Sequence, residues 1–204
     1  MANVAPLPRE ELDEFAQYFD AVEARSGFIA NSLFTMAYRP DTLRAFSQLF
    51  SAVMRSDQVD GSLKQMVAQL ASTSAGCRYC QSHTARAANA AGVPAEKVAA
   101  LFEFETSEAF SDAERAALRL GRDAGLVPNA VTAQHFEDLR VHFDDGQIVE
   151  LVAAIAMFGW LNRWNDTMAT ELENPPLDFA STHLAAAGWE AGKHRHEPVT
   201  VDHS

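Results

Sequence analysis

The chain has 204 residues, 48% of them hydrophobic and 22% charged, which is enough to bury a substantial core. Its formal net charge of −12 argues against sequence-independent nucleic-acid binding, which needs a basic surface, and against docking on anionic membranes. The sequence shows no signal-peptide pattern, and its longest apolar run, 148–161, contains Glu150 and is too short to span a bilayer. With only two cysteines there is no secreted-type disulfide framework, so we expect a protein of the reducing cytoplasm.

Helical signals follow one another along the chain, and no useful stretch alternates like a strand. Proline and acids open the first segment, Ser111 and Glu114 form a capping box, and Gly92 is a typical C-terminal stop. The predicted helices cover 8–26, about 40–53, 61–76, 77–91, a segment from 94, 111–125, 132–143 and 145–171, before Pro175 and Pro176 break the chain. The sequence therefore predicts a single all-α domain over 1–204, a bundle of roughly eight or nine helices. Its tail after about residue 192 is predicted to be disordered.

Both cysteines lie in one Cys-x-x-Cys-x-x-His segment, which is the strongest indication of function. Residues three apart on a helix share a face, so Cys77, Cys80 and His83 should lie together. Cβ atoms at this spacing are about 5–6 Å apart, whereas a disulfide needs about 3.5–4.5 Å. A bond is therefore reachable with local adjustment, and such a strained disulfide is the reducible kind.

The same segment suits thiol redox chemistry electrostatically. A helix N-terminus stabilises a thiolate and lowers its pKa, which favours Cys77 as the more exposed nucleophile, and His83 can exchange protons near neutral pH. Two other interpretations stay open. The cysteines could be plain buried residues, or Cys77, Cys80 and His83 could bind zinc with a fourth ligand such as His135 or His142.

Residues 75–84 resemble the active-site segment of the AhpD-like, carboxymuconolactone decarboxylase superfamily. Residues 63–68 resemble its lead-in helix and 162–166 a segment of uncharacterised members, so the resemblance covers about 40–173. It implies an AhpD-like helical fold and a homo-oligomer, whether dimer, trimer or hexamer. It also implies hydroperoxide reduction through the cysteine pair, with a thioredoxin-like or lipoyl-bearing dithiol partner as reductant.

Carried over from the family, Cys80 attacks the peroxide, Cys77 resolves, His83 handles protons and Gln65 orients. Two positions depart from the family pattern. Gln65 occupies the place of a glutamate, and glutamine cannot take a proton. The family histidine falls at Thr84, whereas His83 comes one residue earlier, a rotation of about 100° on a helix. The proton relay must therefore differ.

Further polar residues interrupt the apolar helix that follows residue 145. Asn162 and Asp166, four apart on one face, are a possible relay to the cysteine pocket, although helix–helix or subunit hydrogen bonding is the preferred interpretation. No phosphate loop, flavin fingerprint or Ser/His/Asp arrangement is visible, so we expect no cofactor and no metal in the redox interpretation. Alternative functions are decarboxylation or isomerisation of a small lactone-like acid, which needs no redox pair, and a zinc-binding or oligomeric module.

Overall fold

The structure is a computed structural model that describes residues 2–195. This part of the chain contains helices and no strand, which confirms the prediction of an all-α, AhpD-like fold. Short 3₁₀ turns lie at Arg9–Glu11, Asp13–Phe15, Ala100–Glu103, Ala185–Ala187 and Gly192–His194. The α-helices are α1 Ala16–Ser26, α2 Asn31–Met36, α3 Pro40–Met54, α4 Gly61–Ser74, α5 Arg78–Ala90, α6 Ala95–Ala99, α7 Asp112–Ala124, α8 Ala133–Arg140, α9 Asp145–Met168 and α10 Asn174–His183.

Helix α4 lies at the centre of the bundle and packs against α5, α7 and α9. Most of its residues from Leu63 to Ser72 are buried. On the α7 side, a Cβ atom at Gly121 would lie 2.7 Å from the carbonyl oxygen of Val67. A Cβ atom at Gly125 would lie 2.5 Å from that of Ala71. Glycine at both positions therefore lets α7 approach the backbone of α4 directly.

The predicted boundaries differ from the structure at three places. The predicted first helix is two 3₁₀ turns followed by α1, and α2 was not predicted. The prolines after residue 174 do not simply break the chain, because both occupy the first turn of α10, where their missing N–H groups cost no helical hydrogen bond. Helix α9 stops at Met168 because Ala169 adopts a left-handed conformation, with φ of 49°.

The C-terminal part of the described chain is folded back onto α5. The indole Nε1 of Trp189 donates to the backbone oxygen of Arg78 at 3.2 Å. His194 is fully buried, and its Nδ1 lies 2.7 Å from the backbone oxygen of Thr170. Within the tail predicted to be disordered after about residue 192, His194 is therefore an ordered, buried residue between exposed Lys193 and Arg195, and its contacts come from distant residues that the local sequence does not reveal. The remainder of that predicted tail, with His196 and His203, lies outside the described residues.

Candidate functional site

The two cysteines lie at the beginning of α5, as predicted. Cys77 is the N-cap residue, and its Sγ accepts a hydrogen bond from the backbone N–H of Cys80 at 3.4 Å. The side chain of Cys80 in turn hydrogen-bonds that of Cys77, and both are free thiols. Neighbouring turns of one helix therefore bring the two sulfur atoms together, in the dithiol form.

The two thiols differ in acidity. The hydrogen bond from the Cys80 thiol lowers the pKa of Cys77, despite the opposing effect of burial. Burial raises the pKa of Cys80 well above its ordinary value, and the hydrogen bond that Cys80 gives to Cys77 adds to the rise. In the reduced protein a thiolate would therefore form first on Cys77, with the proton retained by Cys80.

The expectation that Cys77 is the more exposed sulfur is wrong. Its exposed fraction is 0%, against 2% for Cys80. The N-terminus of α5 is covered because Trp189 binds the Arg78 backbone oxygen, and the Nη1 atom of Arg78 donates to the backbone oxygen of Gly188 at 3.4 Å. A free helix terminus suggests exposure only when no distant segment packs over it.

A cavity of about 460 Å³ gives access to Cys80 but does not touch Cys77. Its walls come from the N-terminal third of the chain, from α4, α5 and α9, and they are largely aromatic and aliphatic. The aromatic lining residues are Tyr18, Phe28, Phe46, Phe50, Tyr79 and Phe158. Cys80 is thus the sulfur that a small molecule in this cavity would meet.

Gln65 and Thr84, the two departures from the family pattern, both line this cavity. The Oε1 atom of Gln65 is buried and has no hydrogen-bond partner among residues 2–195. The Thr84 hydroxyl oxygen lies 2.7 Å from the backbone oxygen of Cys80 and within hydrogen-bond distance of Oε1 of Gln69, so its single proton is used within the helix bundle. Gln65 therefore offers an unused acceptor to a bound molecule, whereas Thr84 has no free proton to donate to it.

His83 also lines the cavity, and it is held by a carboxylate that the sequence did not reveal. Its Nε2 lies 2.7 Å from Oε2 of Glu173, the N-cap residue of α10. The Tyr79 hydroxyl donates to Oε1 of the same carboxylate at 2.8 Å, and the backbone N–H of Asn31 donates there as well. The His83 ring is stacked on Tyr79, with centroids 4.2 Å apart, and meets the edge of Phe28. The imidazole is therefore fixed on three sides.

The charge of Glu173 depends on these partners. Burial alone would raise its pKa. The charge of His83 and the hydrogen bonds from His83, Asn31 and Tyr79 instead lower the pKa below its ordinary value of 4.5. A carboxylate beside His83 was not anticipated from the sequence. It comes from a loop 90 residues away along the chain, so no local spacing could indicate it.

The polar residue of α9 that contacts the site is not one of the two that were predicted. Asn165 reaches the site, because its Nδ2 donates to the Sγ of Cys80 at 3.5 Å, a contact that opposes the rise in the Cys80 pKa. Asn162 is buried but does not line the cavity. Asp166 is half exposed and pairs with Lys193 at 2.9 Å. The structure therefore does not bring Asn162 and Asp166 together as a relay; the contact comes from Asn165, three residues after Asn162 on the buried face.

The histidines considered for a zinc site lie elsewhere. The Nε2 of His135 lies 2.8 Å from the carboxylate of Asp123, and His142 contacts Phe143. Residues 2–195 contain no group of three or more histidine, cysteine or acidic side chains arranged to hold a metal ion. Over the same range, no helix is both long and apolar enough to cross a membrane.

Removing the charge of Glu173 is expected to destabilise the protein more at neutral pH than in acid. Its pKa is lowered in the folded state, so its stabilising effect is present above the ordinary value of 4.5 and is lost as the pH falls through the folded-state pKa. Glu173→Gln should lower the free energy of unfolding by about 2 kcal/mol at pH 7, the value typical of a hydrogen bond to a charged group. Urea unfolding at pH 7 and pH 4 measures both values.

The matched control is Asp178→Asn, which neutralises an exposed carboxylate on the same helix. We expect the control to change the free energy of unfolding by less than about 0.5 kcal/mol at both pH values. A Glu173→Gln deficit that stayed constant from pH 7 to pH 4 would contradict the assigned charge.

Fold and site together define an all-α protein with a Cys-x-x-Cys pair whose second sulfur faces an aromatic cavity. Residues 40–123 match the carboxymuconolactone decarboxylase family. The chain belongs to this AhpD-like, carboxymuconolactone decarboxylase superfamily. Comparison with curated protein sequences gives no significant match.

Several solved structures are similar over nearly the whole chain. A Cys-to-Ala variant of the debrominase Bmp8 in complex with 2,3,4-tribromopyrrole is 33% identical, with a TM-score of 0.83, over 89% of this chain and 97% of that chain. The unliganded debrominase is 34% identical, with a TM-score of 0.82, over 88% and 96%. An uncharacterised peroxidase-related protein from Ralstonia eutropha JMP134, with an AhpD core, is 25% identical, with a TM-score of 0.74, over 88% and 95%. Family and relatives together indicate an enzyme with an antioxidant or related activity.

Proposed function

We propose that this protein is a dithiol-dependent reductase that reduces organic hydroperoxides through Cys80 and Cys77. The observation that carries the proposal is the position of Cys80, which lines the cavity while hydrogen-bonding Cys77 behind it. A substrate in the cavity can contact the Sγ of Cys80. The Sγ of Cys77 can then attack Cys80 and displace the group that Cys80 has accepted from the substrate. Small apolar hydroperoxides fit the aromatic walls better than hydrogen peroxide, which needs no such space.

The reaction begins with transfer of the Cys80 proton to the Cys77 thiolate along their hydrogen bond. The Cys80 thiolate then attacks the terminal peroxide oxygen, forming an S–O bond as the O–O bond breaks, and the departing alkoxide takes up a proton to give an alcohol. Cys77, after losing its proton, attacks the sulfur of the Cys80 sulfenic acid. An S–S bond forms and water leaves. Overall, two thiols and one hydroperoxide become one disulfide, one alcohol and one water.

Three neighbouring groups support these steps. His83, oriented by Glu173, supplies the proton to the alkoxide and receives one from Cys77 in the second step. The unpartnered Oε1 of Gln65 accepts the O–H of the hydroperoxide and so orients it. Asn165 donates to the Cys80 sulfur and stabilises its thiolate. The relay thus uses a histidine–carboxylate pair in place of the glutamate that the family has at position 65.

The burial of both sulfurs favours one of the two expected reductants. Thiol–disulfide exchange requires direct contact between sulfurs, and Cys77 has no exposed surface. A slender dithiol such as a lipoyl group can enter the cavity to reach Cys80, whereas a folded thioredoxin-like domain cannot without displacing part of the wall. We therefore propose a lipoyl-type dithiol as the reductant, in a reducing compartment such as the cytoplasm.

Homo-oligomer formation remains part of the proposal. Helix α9 presents apolar side chains to solvent, among them Val149 at 67% exposure and Trp160 at 39%. Single exposed apolar residues are common, but a row of them along one helix favours association between copies.

A second candidate is reductive dehalogenation of a small halogenated aromatic ring. It is favoured by the aromatic walls of the cavity, together with 33% identity to a debrominase of which this chain covers 97%. Here Cys80 would take the halogen from the ring, the ring carbon would gain a proton, and Cys77 would release halide as the disulfide forms. Two thiols and one aryl halide would give one disulfide, one arene and one hydrogen halide.

Titration of the reduced protein with a hydroperoxide tests the proposal. One equivalent of cumene hydroperoxide is expected to remove two thiols per chain, and dihydrolipoamide should restore both, because the cycle forms one disulfide. Thiols are counted with a chromogenic disulfide under denaturing conditions, and cumyl alcohol is quantified in parallel. A parallel titration with a bromopyrrole, monitored by bromide release, tests the second candidate.

The outcomes separate the possibilities. Loss of both thiols with alcohol but no bromide supports hydroperoxide reduction, and loss of both with bromide alone supports dehalogenation. Retention of two thiols with each compound would show that the pair does not reduce either substrate class. Thioredoxin should restore the thiols at least about tenfold more slowly than dihydrolipoamide at equal concentration, because contact with the sulfurs is blocked.

A further inference from the structure

Three arginines line the cavity that leads to Cys80, and none of them has an acidic partner among residues 2–195. Arg25 ends α1, Arg55 follows α3, and Arg86 lies on α5, one turn beyond His83. We call these three residues the arginine rim. The described chain provides no aspartate or glutamate to the cavity lining. The side chains of Arg25 and Arg55 form no hydrogen bond or ion pair with residues 2–195, and the guanidinium group of Arg86 lies over the ring of Phe28, 5.0 Å from its centroid.

This lack of partners is notable in so acidic a chain. With 28 acidic against 16 basic residues, carboxylates are available to neutralise most cations. Away from the cavity, six of the other ten arginines form an ion pair, namely Arg9, Arg44, Arg115, Arg119, Arg122 and Arg140. Arg39, Arg78, Arg163 and Arg195 form none with residues 2–195, so it is the grouping of three unpaired arginines on one cavity that distinguishes the rim. The rim therefore makes a local positive potential on a negatively charged protein, and a cavity wall of low polarity concentrates such a potential.

The rim is connected to the reacting groups by stacked side chains. Arg86 lies over Phe28, whose ring meets the edge of His83 with centroids 5.4 Å apart. A ligand that contacts Arg86 with one end and Cys80 with the other would cover the aromatic walls between them. The volume of about 460 Å³ accommodates a substituted ring, since cavities of about 150 Å³ already bind benzene.

We propose that the cavity takes a substrate with an aromatic body and a carboxylate, in which the arginine rim binds the carboxylate and the opposite end presents the reducible bond to Cys80. This deepens the proposed function and rests on it for the reaction at Cys80. The anion preference itself follows from the rim alone. The rim residues are specificity-determining groups, because guanidinium groups bind carboxylates through paired N–H donors.

The test compares two alkylating reagents that differ in charge. Iodoacetate carries the carboxylate and iodoacetamide is neutral, and both alkylate Cys80 in a Cys77→Ser background, where mass spectrometry assigns the modified residue. The ratio of the two rate constants cancels the fraction of thiolate, and division by the same ratio for glutathione removes intrinsic reactivity. We expect iodoacetate to be favoured, and the preference to fall as salt is added.

Removing the rim should abolish this preference. Each single change among Arg25→Gln, Arg55→Gln and Arg86→Gln is expected to lower the normalised ratio roughly twofold at low salt, and the triple variant roughly tenfold. The control Arg39→Gln removes an exposed arginine outside the cavity and should leave the ratio unchanged. The aromatic and anionic requirements are tested together by adding 2-naphthoate or 2-naphthamide during alkylation. We expect 2-naphthoate, but not 2-naphthamide, to protect Cys80 from alkylation, and we expect this protection to be lost in the triple variant.

The results distinguish this inference from the proposed function. A normalised ratio that is the same in the parent and triple variants, with iodoacetamide rates also unchanged, overturns the anion preference. The hydroperoxide titration uses a neutral compound and does not depend on the rim. If that titration fails while the ratio responds to the rim, the cavity binds aromatic carboxylates but the dithiol assignment is wrong.

Discussion

Replacing Cys80 by serine is expected to lower hydroperoxide turnover on the order of 10³-fold or more, because a hydroxyl group cannot form the sulfenic acid that the cycle requires. The variant should fold normally, since serine is close in size to cysteine and the site is buried among polar neighbours such as Asn165. Steady-state alcohol formation from cumene hydroperoxide with dihydrolipoamide as reductant measures the loss. Turnover within about tenfold of the parent would contradict the role of Cys80.

Cys77→Ser is the matched control, because the two variants remove the same atom from neighbouring turns. Serine is a good N-cap, so the hydrogen bond to the Cys80 backbone N–H is retained. This variant should consume one equivalent of hydroperoxide and stop at the sulfenic acid, which dimedone traps on Cys80. It should form no intramolecular disulfide. Absence of dimedone labelling on Cys80, the only cysteine left in this variant, after one equivalent of hydroperoxide would contradict the order of steps.

The parts of this site that sequence could predict are those set by one turn of helix. Cys77, Cys80 and His83 share a face of α5 because residues three apart always do, and the family resemblance rests on that same local segment. The all-α class followed in the same way from periodicity, capping and the absence of alternation. Such features depend on neighbouring residues and are visible without the tertiary structure.

The parts that could not be predicted depend on contacts between distant segments. Glu173 reaches His83 because α10 packs against α5, and Trp189 covers the N-terminus of α5, which is why Cys77 is buried. No pattern around Cys77 could indicate either contact. The missing glutamate at position 65 did indicate that the proton relay differs, but the sequence pointed to Asn162 and Asp166 rather than to Glu173.

Asn165 is an intermediate case, because a signal for it existed in the sequence. The apolar residues of α9 that are buried include Ile148, Leu151, Ile155 and Phe158, and continuing that face leads to Asn162 and Asn165. The four-residue spacing paired Asn162 with Asp166, but Asn162 is buried and Asp166 is half exposed. Following the hydrophobic face would have selected the asparagine that contacts Cys80.

The buried ion pair of α4 is expected to be the most important single polar contact for stability. Lys64 has no exposed surface, and its Nζ donates to the backbone oxygens of Val53 at 3.0 Å and Ser56 at 2.7 Å and to Glu150 at 2.6 Å. The Ser56 hydroxyl donates to the other oxygen of Glu150 at 2.7 Å. One ammonium group thus satisfies carbonyls at the end of α3 while joining the central helix to α9.

Lys64→Met is therefore expected to lower the free energy of unfolding at pH 7 by about 3–5 kcal/mol, because it leaves a nearly buried carboxylate and two carbonyls without their donor. Burial would raise the pKa of Glu150, but Lys64 and Ser56 hold it below its ordinary value of 4.5. The stabilisation is thus present above that value and is lost as the pH falls through the folded-state pKa. Urea unfolding at pH 7 and pH 4 should show the deficit shrinking in acid.

The double variant Lys64→Met/Glu150→Leu isolates the charge from the packing. Replacing both ions by apolar groups removes the unpaired carboxylate, so the double variant should recover at least about 1 kcal/mol relative to Lys64→Met at pH 7. It should not recover fully, because the carbonyls of Val53 and Ser56 still lack a donor. A single variant that loses less than about 1 kcal/mol would mean that water replaces the ammonium group, and that α4 is not buried at its N-terminal end as the structure has it.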